Sequence, residues 1–104
     1  MSAARKTAVF SPESEAQIVA LYEYIAANAS PTTAEGYTGA LVERCERLGE
    51  TPLAGVARDD IRRGLRLTFF RRRVAIAYSV AAKAVTVLAI FYGGQDYESL
   101  LRDG

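Results

Sequence analysis

Two Ser-Pro pairs, Ser11-Pro12 and Ser30-Pro31, constrain the first half of this chain more than any other feature. A serine hydroxyl accepts one of the orphan N–H groups at a helix start, and proline suits the first helical position, where its missing N–H is not needed. Each pair therefore opens a helix, and the first helix has to stop around Asn28-Ala29-Ser30. Glu13 and Glu15 complement the positive end of the first helix dipole. Ile18, Leu21, Tyr22, Ile25 and Ala29 then form one apolar stripe at helical spacing. Ala34, Tyr37, Leu41, Cys45 and Leu48 do the same in the second helix, with Glu43, Arg44, Glu46 and Arg47 mostly turned to water. Gly49 is expected to end this helix in a left-handed conformation. So short a connection makes the two helices an antiparallel hairpin. Neither stripe is buried by the hairpin alone, so a sheet must lie beneath it.

The strands follow from period-two alternation. Lys6 to Phe10 reads as a short strand before the first helix. Later, Leu65, Leu67 and Phe69 share one face, as do Val74, Ile76, Tyr78 and Val80, and then Val85, Val87, Ala89 and Phe91. The last strand also carries Leu88 and Ile90 on its other side, the pattern of a strand that is central or covered on both faces. Phe70–Arg73 and Ala81–Ala84 are short enough for hairpin turns. Glu50 to Gly64, with Pro52 and Gly55, reads as an irregular connection. Gly93-Gly94 breaks the final strand, and Asp96 is placed to cap a last short helix from Tyr97 to Arg102. The expectation is an α+β domain of order β-α-α-β-β-β-α, a helical hairpin on a small twisted, mainly antiparallel sheet. It spans residues 1–104 as one domain, with residues 1–5 as an unstructured tail. No repeat or linker divides the chain.

Composition excludes several function classes. Among 104 residues there is one cysteine and no histidine, so neither an internal disulfide nor a Cys/His zinc site can form. Cys45 lies on an apolar stripe and reads as a buried small hydrophobe. The apolar run from Val74 to Tyr92 has Lys83 at its middle and strand-like alternation, which argues against a membrane span. The start of the chain lacks an apolar signal segment, so a cytoplasmic protein is expected. No phosphate loop or nucleophile elbow is present, and no cofactor is called for.

Charge is unevenly placed. Residues 58–73 hold seven arginines against two aspartates, a net of +5, whereas residues 1–57 hold four basic and seven acidic side chains, a net of −3. Arg71-Arg72-Arg73 sits at a predicted hairpin tip, where it reads either as a solvated turn or as a contact for an acidic partner. Arg58, Arg62, Arg63 and Arg66 join that surface only if the connection folds back over the sheet. Direct sequence-specific nucleic-acid binding is not expected, because the whole chain carries only +1 and its aromatic residues are not interleaved with the basic run.

A set of ordered segments carries a family resemblance. They are Phe10-Ser11-Pro12-Glu13-Ser14-Glu15-Ala16, Tyr22-Glu23-Tyr24-Ile25-Ala26, Ser30-Pro31, Leu41 to Leu48, Pro52-Leu53-Ala54-Gly55, Arg62-Arg63-Gly64-Leu65-Arg66 and Gly93-Gly94-Gln95-Asp96. In this order they resemble the toxins of the RelE/ParE superfamily, in particular the ParE branch. The resemblance implies a type II toxin–antitoxin module with DNA gyrase as target. It further implies a ParD-like ribbon-helix-helix antitoxin, encoded alongside, whose C-terminal segment wraps the toxin. The chain departs from the family pattern at Ala89 and Tyr92, where an arginine and a histidine are frequent.

On this reading the antitoxin is expected on the groove of the helical hairpin and on the basic strands, at Leu21, Tyr22, Tyr24, Ile25, Tyr37, Leu41, Arg66, Arg71 and Arg73. The target is expected at Arg71, Arg72, Arg73 and the C-terminal Tyr97, Leu100 and Leu101. An alternative is the ribosome-dependent mRNA cleavage of RelE-type toxins, with the same arginines for charge, Tyr78, Tyr92 or Tyr97 as acid, and Asp96 or Glu98 as base. Without histidine those carboxylates would need raised pKa values, so no catalytic residue is assigned. A second alternative is a non-toxic binding or assembly partner.

Overall fold

Both Ser-Pro pairs open helices in the computed structural model, which describes residues 5–93 and 97–103. α1 runs Pro12–Asn28 and α2 runs Pro31–Glu46, continued by a single 3₁₀ turn at Arg47–Gly49. Ser11 Oγ accepts from Ser14 N at 3.0 Å, and Ser30 Oγ accepts from Thr33 N at 3.1 Å. Each cap contributes about 1 kcal/mol. Gly49 does not adopt the left-handed conformation expected of it. It is needed for another reason: a Cβ there would collide with the Lys6 carbonyl, because Lys6 N donates to Gly49 O at 2.9 Å as the chain enters the sheet.

The strands are β1 (Thr7–Phe10), β2 (Val56–Ala57), β3 (Leu65–Phe70), β4 (Val74–Val80) and β5 (Ala84–Tyr92), followed by α3 (Tyr97–Asp103). They form one sheet in the order β1-β5-β4-β3-β2. β1 pairs parallel with β5, and the other ladders are antiparallel. β5 is thus interior, in keeping with its two-sided apolar pattern. The connection expected to be irregular contains the two-residue β2, paired with β3 through Val56↔Leu67 and Ala57↔Arg66. Asp96, expected to cap α3, and Gly94 lie outside the described residues, as does the tail up to residue 4. Arg5 reaches Glu50 at 3.3 Å.

One parity expectation fails. Ala77 pairs with Ala89 while Tyr78 pairs with Val87, so Leu88 is an extra residue in β5. Such a bulge reverses which face each later side chain meets. Val85, Val87 and Ile90 therefore face the helical hairpin, together with Val74, Ile76 and Tyr78 of β4 and Leu21, Ile25, Leu41, Cys45 and Leu48. Ala89 and Phe91 turn to the opposite face, with Leu65, Leu67, Ala75 and Ala77. α3 covers that second face through Leu101. Ser11 stabilises the irregularity, its N donating to Val87 O at 3.0 Å and its Oγ to Leu88 O at 2.9 Å.

Tyr78 anchors the loop ahead of β2. Its buried hydroxyl donates to Pro52 O at 2.9 Å and accepts from Gly55 N at 2.8 Å. Just beyond the end of β4, Lys6 Nζ donates to Ala81 O and Ala82 O at 2.9 and 2.6 Å, closing the β4–β5 turn.

Candidate docking surfaces

The β3–β4 turn concentrates the features of a contact site. It is a two-residue turn closed by Arg73 N to Phe70 O at 3.1 Å, and both central residues have positive φ, 51° at Arg71 and 62° at Arg72. A right-twisted hairpin favours this geometry, which Asn-Gly satisfies without strain. Arginine at both positions carries a penalty of roughly 1–2 kcal/mol per residue. Strained backbone of this kind persists where the side chains serve something other than stability.

Those side chains rest on a run of aromatic rings. The Arg71 guanidinium lies 4.8 Å from the Phe70 ring centroid and 5.4 Å from that of Tyr37. Tyr37 of α2 meets Phe70 edge-on at 5.3 Å and Tyr92 of β5 at 6.3 Å; Tyr92 in turn meets Tyr24 of α1 at 5.9 Å. Tyr24 is 55% exposed, so the run surfaces on the helix side. The Tyr37 hydroxyl is shielded from solvent and makes no hydrogen bond among the described residues. Burial and the neighbouring Tyr92 push its pKa up, against the opposing pull of Arg71 and Arg73, so it stays protonated at neutral pH. Arg71, Arg72, Arg73 and Gly93 line a hollow of about 530 Å³ beside it. No ion pair links these three arginines to a carboxylate among the described residues.

Arg58, Arg62 and Arg66 of the basic segment are engaged elsewhere. Arg58 donates to both oxygens of Asp60 and to Glu98 Oε2, each at 2.9 Å. That hydrogen bonding holds the Asp60 carboxyl below the ordinary carboxylate range. Arg62 donates to Leu101 O at 3.0 Å, so both arginines tie α3 to the rest of the domain. Arg66, expected at the antitoxin contact, binds Leu53 O and Gly55 O at 3.1 and 2.6 Å and holds the loop before β2.

Other expected site residues divide between core and surface. Leu21, Ile25 and Leu41 are buried against the sheet, and Tyr22 packs partly on the same core. Leu101 is buried under the second face, Leu100 is half-exposed, and Tyr97 sits against Phe69 and Phe91 at 6.0 and 6.4 Å. Of the tyrosines and carboxylates weighed for RNA cleavage, Tyr78 is spent on the loop, Glu98 is bound by Arg58, and Asp96 lies outside the described residues. A second open surface is apolar. Phe10, Ile18, Val19 and Val42, with Glu15 at the margin, line a hollow of about 440 Å³ on the outside of the helical hairpin. Sequence reasoning did not place Phe70, Val19 or Val42 at either surface, and Tyr92 entered it only as a candidate acid beside the arginines. Phe70 and Tyr92 were findable from the β4 pairing alone, since both lie opposite Val74 across its two ladders.

Comparison with known proteins accords with this architecture. A chain of the chromosomal ParDE TA system from P. aeruginosa superposes with a TM-score of 0.75 at 19% identity, covering 86% of this chain and 97% of that one. No curated protein sequence matches. Residues 8–97 match the family model described as ParE toxin of type II toxin-antitoxin system, parDE. With that match running from the second residue of β1 to the first residue of α3, the chain belongs to the ParE toxin family.

Proposed function

We propose that this ParE-type toxin acts by binding, and that its target is DNA gyrase engaged on cleaved DNA in the cytoplasm. The observation that carries the reading is the strained Arg71-Arg72 turn, held over Phe70 and Tyr37 and without a carboxylate partner among the described residues. An acidic surface or a nucleic-acid backbone held by the target supplies the missing charge. Arg71, Arg72 and Arg73 make the target contact, with Leu100 and the margin of Tyr97 as a secondary edge. A ParD-like antitoxin neutralises the toxin by covering the same turn and by laying an apolar helix face on Phe10, Ile18, Val19 and Val42.

A supercoiling assay with purified gyrase tests the target. The expected result is inhibition with accumulation of cleaved plasmid, and its loss when Arg71, Arg72 and Arg73 are replaced together by alanine. Unimpaired gyrase accompanied by cut messenger in a translation mix would overturn the proposal in favour of RNA cleavage. Unimpaired gyrase with intact messenger would leave only a binding or assembly role.

A further inference from the structure

The β3–β4 hairpin stands clear of its neighbours at the tip. β2 stops at the pair Val56↔Leu67 on one side, and the β4–β5 ladder begins only at Val74↔Tyr92 on the other. Arg71, Arg72 and Arg73 lie beyond both, past the last β3–β4 pair, Phe70↔Val74. They cap a ribbon two strands wide.

The three cations border one hollow, of about 530 Å³, whose other lining residue is Gly93. Gly93 has a φ of 76°, which reserves the position for glycine, and the space a Cβ would enter is open. The hollow is therefore cationic on one side and bare backbone on the other. Arg71 rests its guanidinium on the Phe70 and Tyr37 rings. Arg71 and Arg73 both pull the Tyr37 proton affinity down, so both charges stand beside that ring. A guanidinium whose face lies on a ring keeps its N–H edge for an anion.

The kind of anion follows from charge density. Arg5 meets Glu50 and Arg102 meets Asp60, one carboxylate each, and Arg58 reaches two, Asp60 and Glu98. Three cations on consecutive residues are a different case. Protein carboxylates arrive one to a side chain, and three brought to a single turn repel one another as they converge. A nucleic-acid backbone already holds its charges close, one per roughly 1.7 Å of duplex axis. Each phosphodiester also offers two anionic oxygens to a guanidinium fork. A two-stranded ribbon fits the major groove of a duplex, about 12 Å wide, with phosphates along both lips.

We infer that the Arg71–Arg73 turn grips the phosphodiester backbone of duplex DNA, so that in the gyrase complex the toxin holds the DNA itself and not an acidic patch of the enzyme. Phosphate contacts carry no base information, so the grip is independent of sequence. The inference rests on the reading of this turn as the target contact, and names what the turn holds.

Two measurements test it, the first without gyrase. The free toxin is titrated into a fluorescent duplex of about 20 base pairs and mixed sequence. Three phosphate contacts give a slope of about −2.7 in log K against log salt, so affinity should fall about 40-fold between roughly 50 and 200 mM. Replacing Arg71, Arg72 and Arg73 together by alanine should abolish binding, whereas replacing all three by lysine should keep the slope. The second measurement places a photoactivatable aryl azide on Arg72→Cys in the complex of toxin, gyrase and DNA. Cys45 is fully buried, so the introduced thiol alone takes the label. The label should couple to DNA. Coupling to gyrase polypeptide overturns the inference while leaving gyrase as the target. Duplex binding that the alanine variant retains also overturns it. A toxin that binds the duplex with the expected slope but leaves gyrase unimpaired upholds the phosphate contact and overturns the gyrase reading. Neither duplex binding nor gyrase inhibition overturns both.

Discussion

The two faces of the sheet are covered by different means. The hairpin face is filled by large aliphatic side chains from two capped helices, with Leu41, Cys45, Leu48, Val74, Ile76, Val85 and Val87 all fully buried. The opposite face has fewer buried members: Ala75, Ala77 and Ala89 lie among Leu65, Leu67 and Phe91, and a helix of 7 residues covers it. Polar ties supplement the packing there, Arg58 to Glu98 and Arg62 to Leu101 O. This face buries fewer apolar side chains than the other and gains less from the hydrophobic effect, so arginine contacts make up part of the difference. The same residue type therefore has two roles in this domain. Arg58 and Arg62 hold structure together, whereas Arg71 and Arg72 sit in strained backbone and, with Arg73, have no carboxylate partner among the described residues.

This contrast can be broken experimentally. Leu41→Ala, at a site with no exposure, should cost about 2–5 kcal/mol in denaturant unfolding. Leu101→Ala should fall at the low end, about 2 kcal/mol, with faster amide exchange confined to α3 and its neighbours. Equal losses at both sites would show that the faces are energetically alike.

The next effect has the opposite sign. Replacing Arg71-Arg72 with Asn-Gly should relieve the left-handed strain and raise stability by about 1–2 kcal/mol. The same double substitution should weaken antitoxin and target binding. A more stable variant with unchanged binding would mean that the turn arginines are only solvated surface.

A smaller effect concerns acid. Asp60 is depressed in the folded protein by its hydrogen bonds from Arg58. Its contribution is therefore complete above the unfolded carboxylate value of about 4 and is lost as pH falls through the lower folded value. Near-UV circular dichroism of Tyr97 between pH 5 and 2 (roughly, the carboxylate range) should report loosening of α3. Asp60→Asn should flatten that profile. The change is modest because the pair is solvent-exposed.

The smallest expected response is at Cys45. Burial pushes its thiol up to about 12, so iodoacetamide should leave the native protein unlabelled at pH 8 (about neutral) and react only after unfolding. Native labelling would show that the hairpin face opens as readily as the other.

Much of the fold was legible in local chemistry. Caps at Ser11 and Ser30, proline at the first helical positions, and helical or period-two spacing act over a few residues, and each predicted element formed near its expected bounds. The two-residue β2 was not legible, because so short a strand is created by its pairing with Leu67 and Arg66 rather than by its own residues. Gly49 was identified as a special position, but the cause, the approach of the Lys6 carbonyl, comes from 43 residues away.

The candidate site was legible only in part. Arg71, Arg73, Tyr24 and Tyr37 were singled out, yet nothing local says that they adjoin one another through Phe70 and Tyr92. Nor does a run of arginines announce which members will find internal carboxylates and carbonyls.

By itself, then, the sequence determined the elements: where helices begin, which stripes are apolar, and that β5 is apolar on both sides. Tertiary structure alone decided the parity switch at Leu88, which arginines find carboxylates and carbonyls within the domain, and the hydrogen bond from the Ile90 amide to Gln17. The reason is range. Capping and periodicity are satisfied among neighbours along the chain, whereas bulges, ion-pair choice and strand edges depend on groups that meet only when distant segments pack.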